Sequence, residues 1–179
     1  YQAFTLWYNQ KQNTMTQISL FQKELEREAV TTRKMLALVP AEKFDWKPHP
    51  KSMVMMNLAT HIAELPAWVS MVLNTDELDF AANEYKPTIV KDNAALMDLF
   101  EKSLEDARAQ LSIGKEETLS NEWILRMGEQ ILSKGSKADM IRHSLSQIIH
   151  HRAQLGVYLR LLDIPIPGSY GPSADDTGF

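Results

Sequence analysis

Met140-Ile-Arg-His-Ser-Leu-Ser-Gln-Ile-Ile-His-His-Arg-Ala-Gln-Leu-Gly-Val-Tyr-Leu-Arg-Leu-Leu162 is the stretch that decides the fold. Ile141, Leu145, Ile148, Leu155, Tyr158, Leu159 and Leu162 recur at helical spacing, so one face of a helix is apolar. Ser136-Lys-Ala-Asp139 just ahead of it resembles a capping box, with Asp in place of the usual Glu or Gln. Ile164-Pro165 stops the helix near Asp163, because the residue before a proline is driven out of the helical region.

Three further stretches carry the same period. Met15, Ile18, Phe21, Leu25, Ala29, Thr32, Leu36 and Val39 mark a first helix that Pro40 ends. A second is expected from about Met53 to Leu73, with Met56, Ala59, Ile62, Leu65, Val69 and Val72 inward and Ser52 as its N-cap. Pro66 lies inside it and predicts a kink just past His61. Asp92 caps a third, with Leu96, Leu99, Phe100, Ser103, Ala107 and Leu111 inward. Residues 74–91 read as a long loop. Between 112 and 136 the helical period breaks, and Trp123–Met127 with Gln130–Leu132 suggests a hairpin across one end. The expected fold is therefore all-α: a single-domain four-helix bundle over 1–179, with an N-terminal arm (1–13), long interhelical loops and an irregular tail (164–179).

Composition narrows the function. A net charge of −4, without any run of Lys or Arg, argues against a non-specific nucleic-acid binder. The absence of cysteine removes disulfides, thiolate ligands and a thiol nucleophile together. No apolar run approaches the roughly 18 residues of a membrane span. The composition fits a cytoplasmic protein; because the chain begins at Tyr1, a removed leader stays open.

Two of the five histidines are adjacent, at 150 and 151. With Met140 at zero and 100° per residue, the apolar arc of this helix centres near about 70°. His151 then falls near about 20° and Arg152 near about 120°, both inside the arc. Gln147 sits at its edge, and His150 and His143 fall outside it. His143 is about 12 Å along the axis from His151, too far to share an ion on a straight helix. The position that pairs with His151 at i−4 is Gln147, whose amide is a weak ligand preferring hard ions. The candidate donors are thus two imidazoles, His61 and His151, and one amide, short of the three strong ligands of an ordinary catalytic zinc site. Arg152 on a buried arc needs a partner. That is either an acid on a neighbouring helix, such as Glu64, or an anionic cofactor in the cavity.

His150-His-Arg-Ala-Gln-Leu-Gly-Val-Tyr-Leu-Arg160, with Pro165-Ile-Pro167 and Tyr170-Gly-Pro-Ser-Ala-Asp-Asp176, resembles the C-terminal signature of the DinB-like (DinB/YfiT) superfamily. Phe44-Asp-Trp-Lys-Pro-His-Pro-Lys-Ser52 and Leu58-Ala-Thr-His-Ile-Ala-Glu-Leu-Pro-Ala-Trp68 are similar to its N-terminal half. The resemblance implies a four-helix bundle, often a homodimer, holding a divalent metal (Zn, Ni, Fe or Mn) on three histidines. One ligand position matches His61 and two match positions 147 and 151. It also implies metal-dependent chemistry of a thiol S-transferase or hydrolase type on a small thiol or other small molecule. The chain departs from the pattern at Gln147. Three outcomes follow: Gln147 ligates with waters completing the shell, the metal is weak or lost, or Glu64 or His150 steps in. In the second case the protein is a metal-free, small-molecule-binding or stress-associated interaction protein.

Overall fold

The structure is a computed structural model and describes residues 15–82 and 86–177. The expected arm at 1–13 lies outside the described residues. Four long helices are present: α1 (Gln17–Leu36), α2 (Met55–Asn74), α3 (Asn93–Ile113) and α4 (Lys137–Leu161). Each touches two main neighbours, in the cyclic order α1–α3–α2–α4. Their apolar stripes meet in one core that includes Leu25, Leu36, Ile62, Phe100, Leu145 and Leu159, all essentially removed from water. This is the packing that the three- and four-residue spacing demands.

The all-α expectation needs correction. A three-stranded sheet, ordered β1 (Glu77–Asp79), β2 (Glu122–Met127) and β3 (Gln130–Ser136), lies in the connections after α2 and α3. β2 and β3 form the expected hairpin, antiparallel and closed by Gly128-Glu129 between the paired Met127 and Gln130. Gly128 takes φ 59°, a conformation open to glycine and needed by a two-residue turn that follows the strand twist. β1 falls within the stretch read as loop. It pairs parallel to β2, with Leu78 opposite Leu125. Three residues are too few to carry a periodic signal, so only the distant partner defines this strand.

The helix ends are set locally. Thr16 and Asp92 accept from backbone N–H groups at the starts of α1 and α3, and Ser136 with Asp139 forms a full capping box on α4. The expected Ser52 cap is not used. Val54 is the N-cap of α2 and has no side-chain cap bond. Instead Met55 N donates to Trp46 O and Met56 N to Phe44 O, so the preceding loop's carbonyls serve these donors. Beyond α4, Asp163 adopts φ 59°, and Ile164 N bonds back to Leu159 O, a Schellman-type stop.

α2 runs through Pro66 as one continuous helix. Hydroxyls from both neighbouring helices converge there. Ala67 N donates to Ser103 Oγ (2.8 Å), Ser103 Oγ donates to Glu64 O (3.2 Å) and Ser144 Oγ donates to Leu65 O (2.8 Å). A proline takes one donor out of the ladder, and hydroxyls on α3 and α4 bond to the groups around it. These bonds fix the turn after His61 against α3 and α4.

Candidate functional site

His61 on α2 and His151 on α4 meet across the helix pair, with ring centroids 4.7 Å apart and planes at 76°. The helical-wheel placement of His151 inside and His150 outside holds: His151 is half-buried and His150 exposed. The two adjacent rings still touch edge to face, 4.8 Å between centroids.

Burial is the larger cause pushing the His61 imidazole down to about 4, and the neighbouring His151 adds to it. His151 is lowered too, by burial first. Its bond to Gln154 opposes the shift and His150 reinforces it. Both rings are therefore neutral near pH 7, the form in which imidazole accepts a proton or ligates an ion. Gln154 Oε1 lies 2.8 Å from His151 Nδ1. An amide oxygen can only accept, so Nδ1 carries the hydrogen and the lone pair sits on Nε2. Orientation of one ring nitrogen by a hydrogen bond at the other is what metal-binding histidines ordinarily show.

A cavity of about 160 Å³ opens beside His61, lined also by Met53, Asn57 and Pro87. It has room for about five water molecules at bulk volume. Asn57 precedes His61 by four residues on α2, so the two share one face. Asn57 was not singled out from the sequence, although its i−4 spacing from His61 places it on the same face. Glu64, one turn after His61, accepts a hydrogen bond from Thr88 Oγ1 in the segment that also supplies Pro87. The tertiary role of that covering segment had no sequence signal.

Gln147 uses its amide nitrogen one turn back on its own helix. Its amide nitrogen lies 3.2 Å from His143 Nε2, toward the exposed side of α4. Among the described residues there is no group of three or more His, Cys, Asp or Glu placed to hold an ion. The donor set is two neutral imidazoles with amides nearby. This fits a divalent ion held weakly with water, not a closed three-histidine centre.

Arg152 is buried as expected, and its partner is Glu28 of α1 rather than Glu64. Arg152 Nη1 lies 2.7 Å from Glu28 Oε2 and also donates to Thr32 Oγ1 (3.0 Å) and Glu28 O (3.2 Å). Tyr170 from the tail donates its hydroxyl to Glu28 Oε1. Its ring stacks under the guanidinium, 5.8 Å from centroid to Cζ. Burial first, then the bond to Glu28, pushes the Tyr170 hydroxyl up to about 12.

A helical protein with a histidine pair set between its second and fourth helices is the class defined by this geometry. The chain belongs to the DinB family: the model of that family matches residues 9–177. The fold is similar to a DinB-like protein from Bacillus subtilis, with a TM-score of 0.66 and 20% identity over 84% of this chain and 97% of that one. It is also similar to a DinB-like protein from Bacillus cereus, with a TM-score of 0.63 and 18% identity over 83% and 94% of the two chains. No curated protein matches the chain. No helix among the described residues is long and apolar enough to cross a membrane.

Proposed function

We propose that this DinB-family protein is a divalent-metal-dependent enzyme of transferase or hydrolase type, with a site reduced to two imidazoles, His61 and His151. The observation that carries the reading is their contact at 4.7 Å, with His151 Nδ1 held by Gln154 so that Nε2 presents its lone pair. When bound, the ion supplies Lewis acidity that lowers the pKa of a thiol or water. The chain's own residues do the rest. His61 and His151 stay unprotonated because burial disfavours their cations. Met53 and Pro87 shield one side of the cavity, and its size limits the reacting end of the substrate to a few heavy atoms. Arg152, already matched by Glu28, is left to hold α1 and α4 together.

The test is titration of chelator-treated protein with Zn²⁺ or Co²⁺. One equivalent should bind, and binding should be lost in His61→Ala and in His151→Ala but kept in His49→Ala. Less than about a tenth of an equivalent in the parent would sink the metal reading.

A second reading is favoured by the turn of Gln147 toward His143. In it the protein binds a small polar molecule at the neutral histidine pair without a metal. Saturable binding of imidazole-sized compounds, unchanged by EDTA and lost in His61→Ala, would select it.

A further inference from the structure

We infer a second binding site, for a small organic carboxylate with an apolar body, in the cavity between the N-terminal halves of α1 and α4. His151 faces α2, whereas this cavity opens on the α1 side of α4, so the inference stands apart from the metal reading.

The cavity measures about 610 Å³, within the range of small-molecule sites. Leu20 and Phe21 of α1, Ala138 of α4 and the Tyr170 ring of the tail give it apolar walls. Leu20 and Tyr170 are 47% and 64% exposed, apolar surface that a bound molecule would cover.

Charge sets the class of ligand. Each acid on the lining already has a partner. Glu24 pairs with Arg142 (3.4 Å) and Glu28 with Arg152 (2.7 Å), while Asp139 accepts from Ser136 N and Oγ in the capping box. Lys23 and Arg27 also line the cavity, and neither has an ion-pair partner among the described residues. Lys23 Nζ reaches only as far as the Met15 sulfur, at 3.9 Å. The two cations stand four residues apart on α1, the spacing that lets both close on one anion. Arg27 offers a planar fork that matches a carboxylate, and Lys23 adds a point charge. Leu20 lies one turn before Lys23, so the body of the ligand rests beside its head along the same helix. A dianion such as a phosphate ester would bring surplus negative charge against Glu24 and Asp139, and like charges brought together are costly. A monoanion avoids that surplus.

The experiment is calorimetric titration of the full chain with octanoate, octylammonium and octyl phosphate, which share one chain and differ in the head. Octanoate should bind at least about tenfold more tightly than octylammonium, and no more weakly than octyl phosphate. Arg27→Gln and Lys23→Gln should each weaken octanoate about threefold, and together about tenfold. Added NaCl should weaken it in the parent as well. Lys102→Gln, an exposed change on α3, should stay within about twofold. Far-UV circular dichroism of each variant confirms that the fold is kept. No saturation by octanoate up to about 10 mM, or equal uptake of octylammonium, overturns the inference. So does octanoate binding unchanged in the double variant, or tighter uptake of octyl phosphate. A dimer in sedimentation that covers this face and excludes octanoate overturns it too. None of these outcomes bears on the metal titration of His61 and His151.

Discussion

Arg152 Nη1 of α4 sits 2.7 Å from Glu28 Oε2 of α1, and both side chains are almost completely buried, at 2% and 3% exposure. Removing two charges from water is costly, and their attraction compensates only when every remaining donor and acceptor is used. Here Thr32, the Glu28 carbonyl and Tyr170 use several of them. Arg152→Met or Glu28→Leu alone should each cost about 3–5 kcal/mol, because each strands a buried charge. The pair Arg152→Met with Glu28→Leu should recover most of that loss. Urea unfolding of the double-mutant cycle measures it, and additive losses would contradict the assignment.

Tyr170 makes the same network sensitive to alkali. Its hydroxyl is raised in the folded state to about 12 from an ordinary value near 10. The folded state thus favours the protonated phenol. Its contribution is complete below about pH 10 and is lost as pH climbs toward 12. Compared with the parent between pH 9 and 12, Tyr170→Phe should lose stability less steeply. Parallel profiles would show that the phenol does not report on the fold.

Asp163 carries a positive φ of 59° at the end of α4, where glycine is the usual occupant. Replacing it by glycine removes the Cβ crowding of about 1 kcal/mol, partly offset by the unfolded chain's freedom. Asp163→Gly should be neutral to stabilising by up to about 1 kcal/mol, whereas Asp163→Val should destabilise. Thermal melts of the two variants decide; a stabilised valine variant would refute the strain.

Gln147→His would return an imidazole to the position four residues before His151. If the new ring turns inward, metal affinity should rise by at least about tenfold over the parent. Calorimetric titration with Zn²⁺ reads the change. Unaltered affinity would mean that the α4 backbone aims residue 147 at His143 whatever its side chain.

The four helices could be read from spacing because each buries one stripe against the core. The hairpin could be read from Trp123–Met127 and Gln130–Leu132 around Gly128. β1 could not, since Glu77-Leu78-Asp79 becomes a strand only beside Ile124–Arg126. The cap at Ser52 failed because carbonyls at Phe44 and Trp46, from the looping chain, took its place. At the site, the wheel put His151 and Arg152 inside correctly. It could not name Glu28 as the partner of Arg152, because a wheel describes one helix and not which neighbour faces it. The cavity beside His61 was not legible for the same reason: Met53 and Pro87 complete it from loops.

The parallel register of Glu77 with Ile124 has a kinetic consequence. Two strands running the same way cannot be joined by a tight turn, and here the whole of α3 lies between them. Closing so long a loop is entropically slow compared with zipping the β2–β3 hairpin. The hairpin should therefore form early and wait for β1, which can dock only after α3 has packed on α2. Refolding followed by the fluorescence of Trp123, which donates to Thr75 just ahead of β1, would see that docking as the last event.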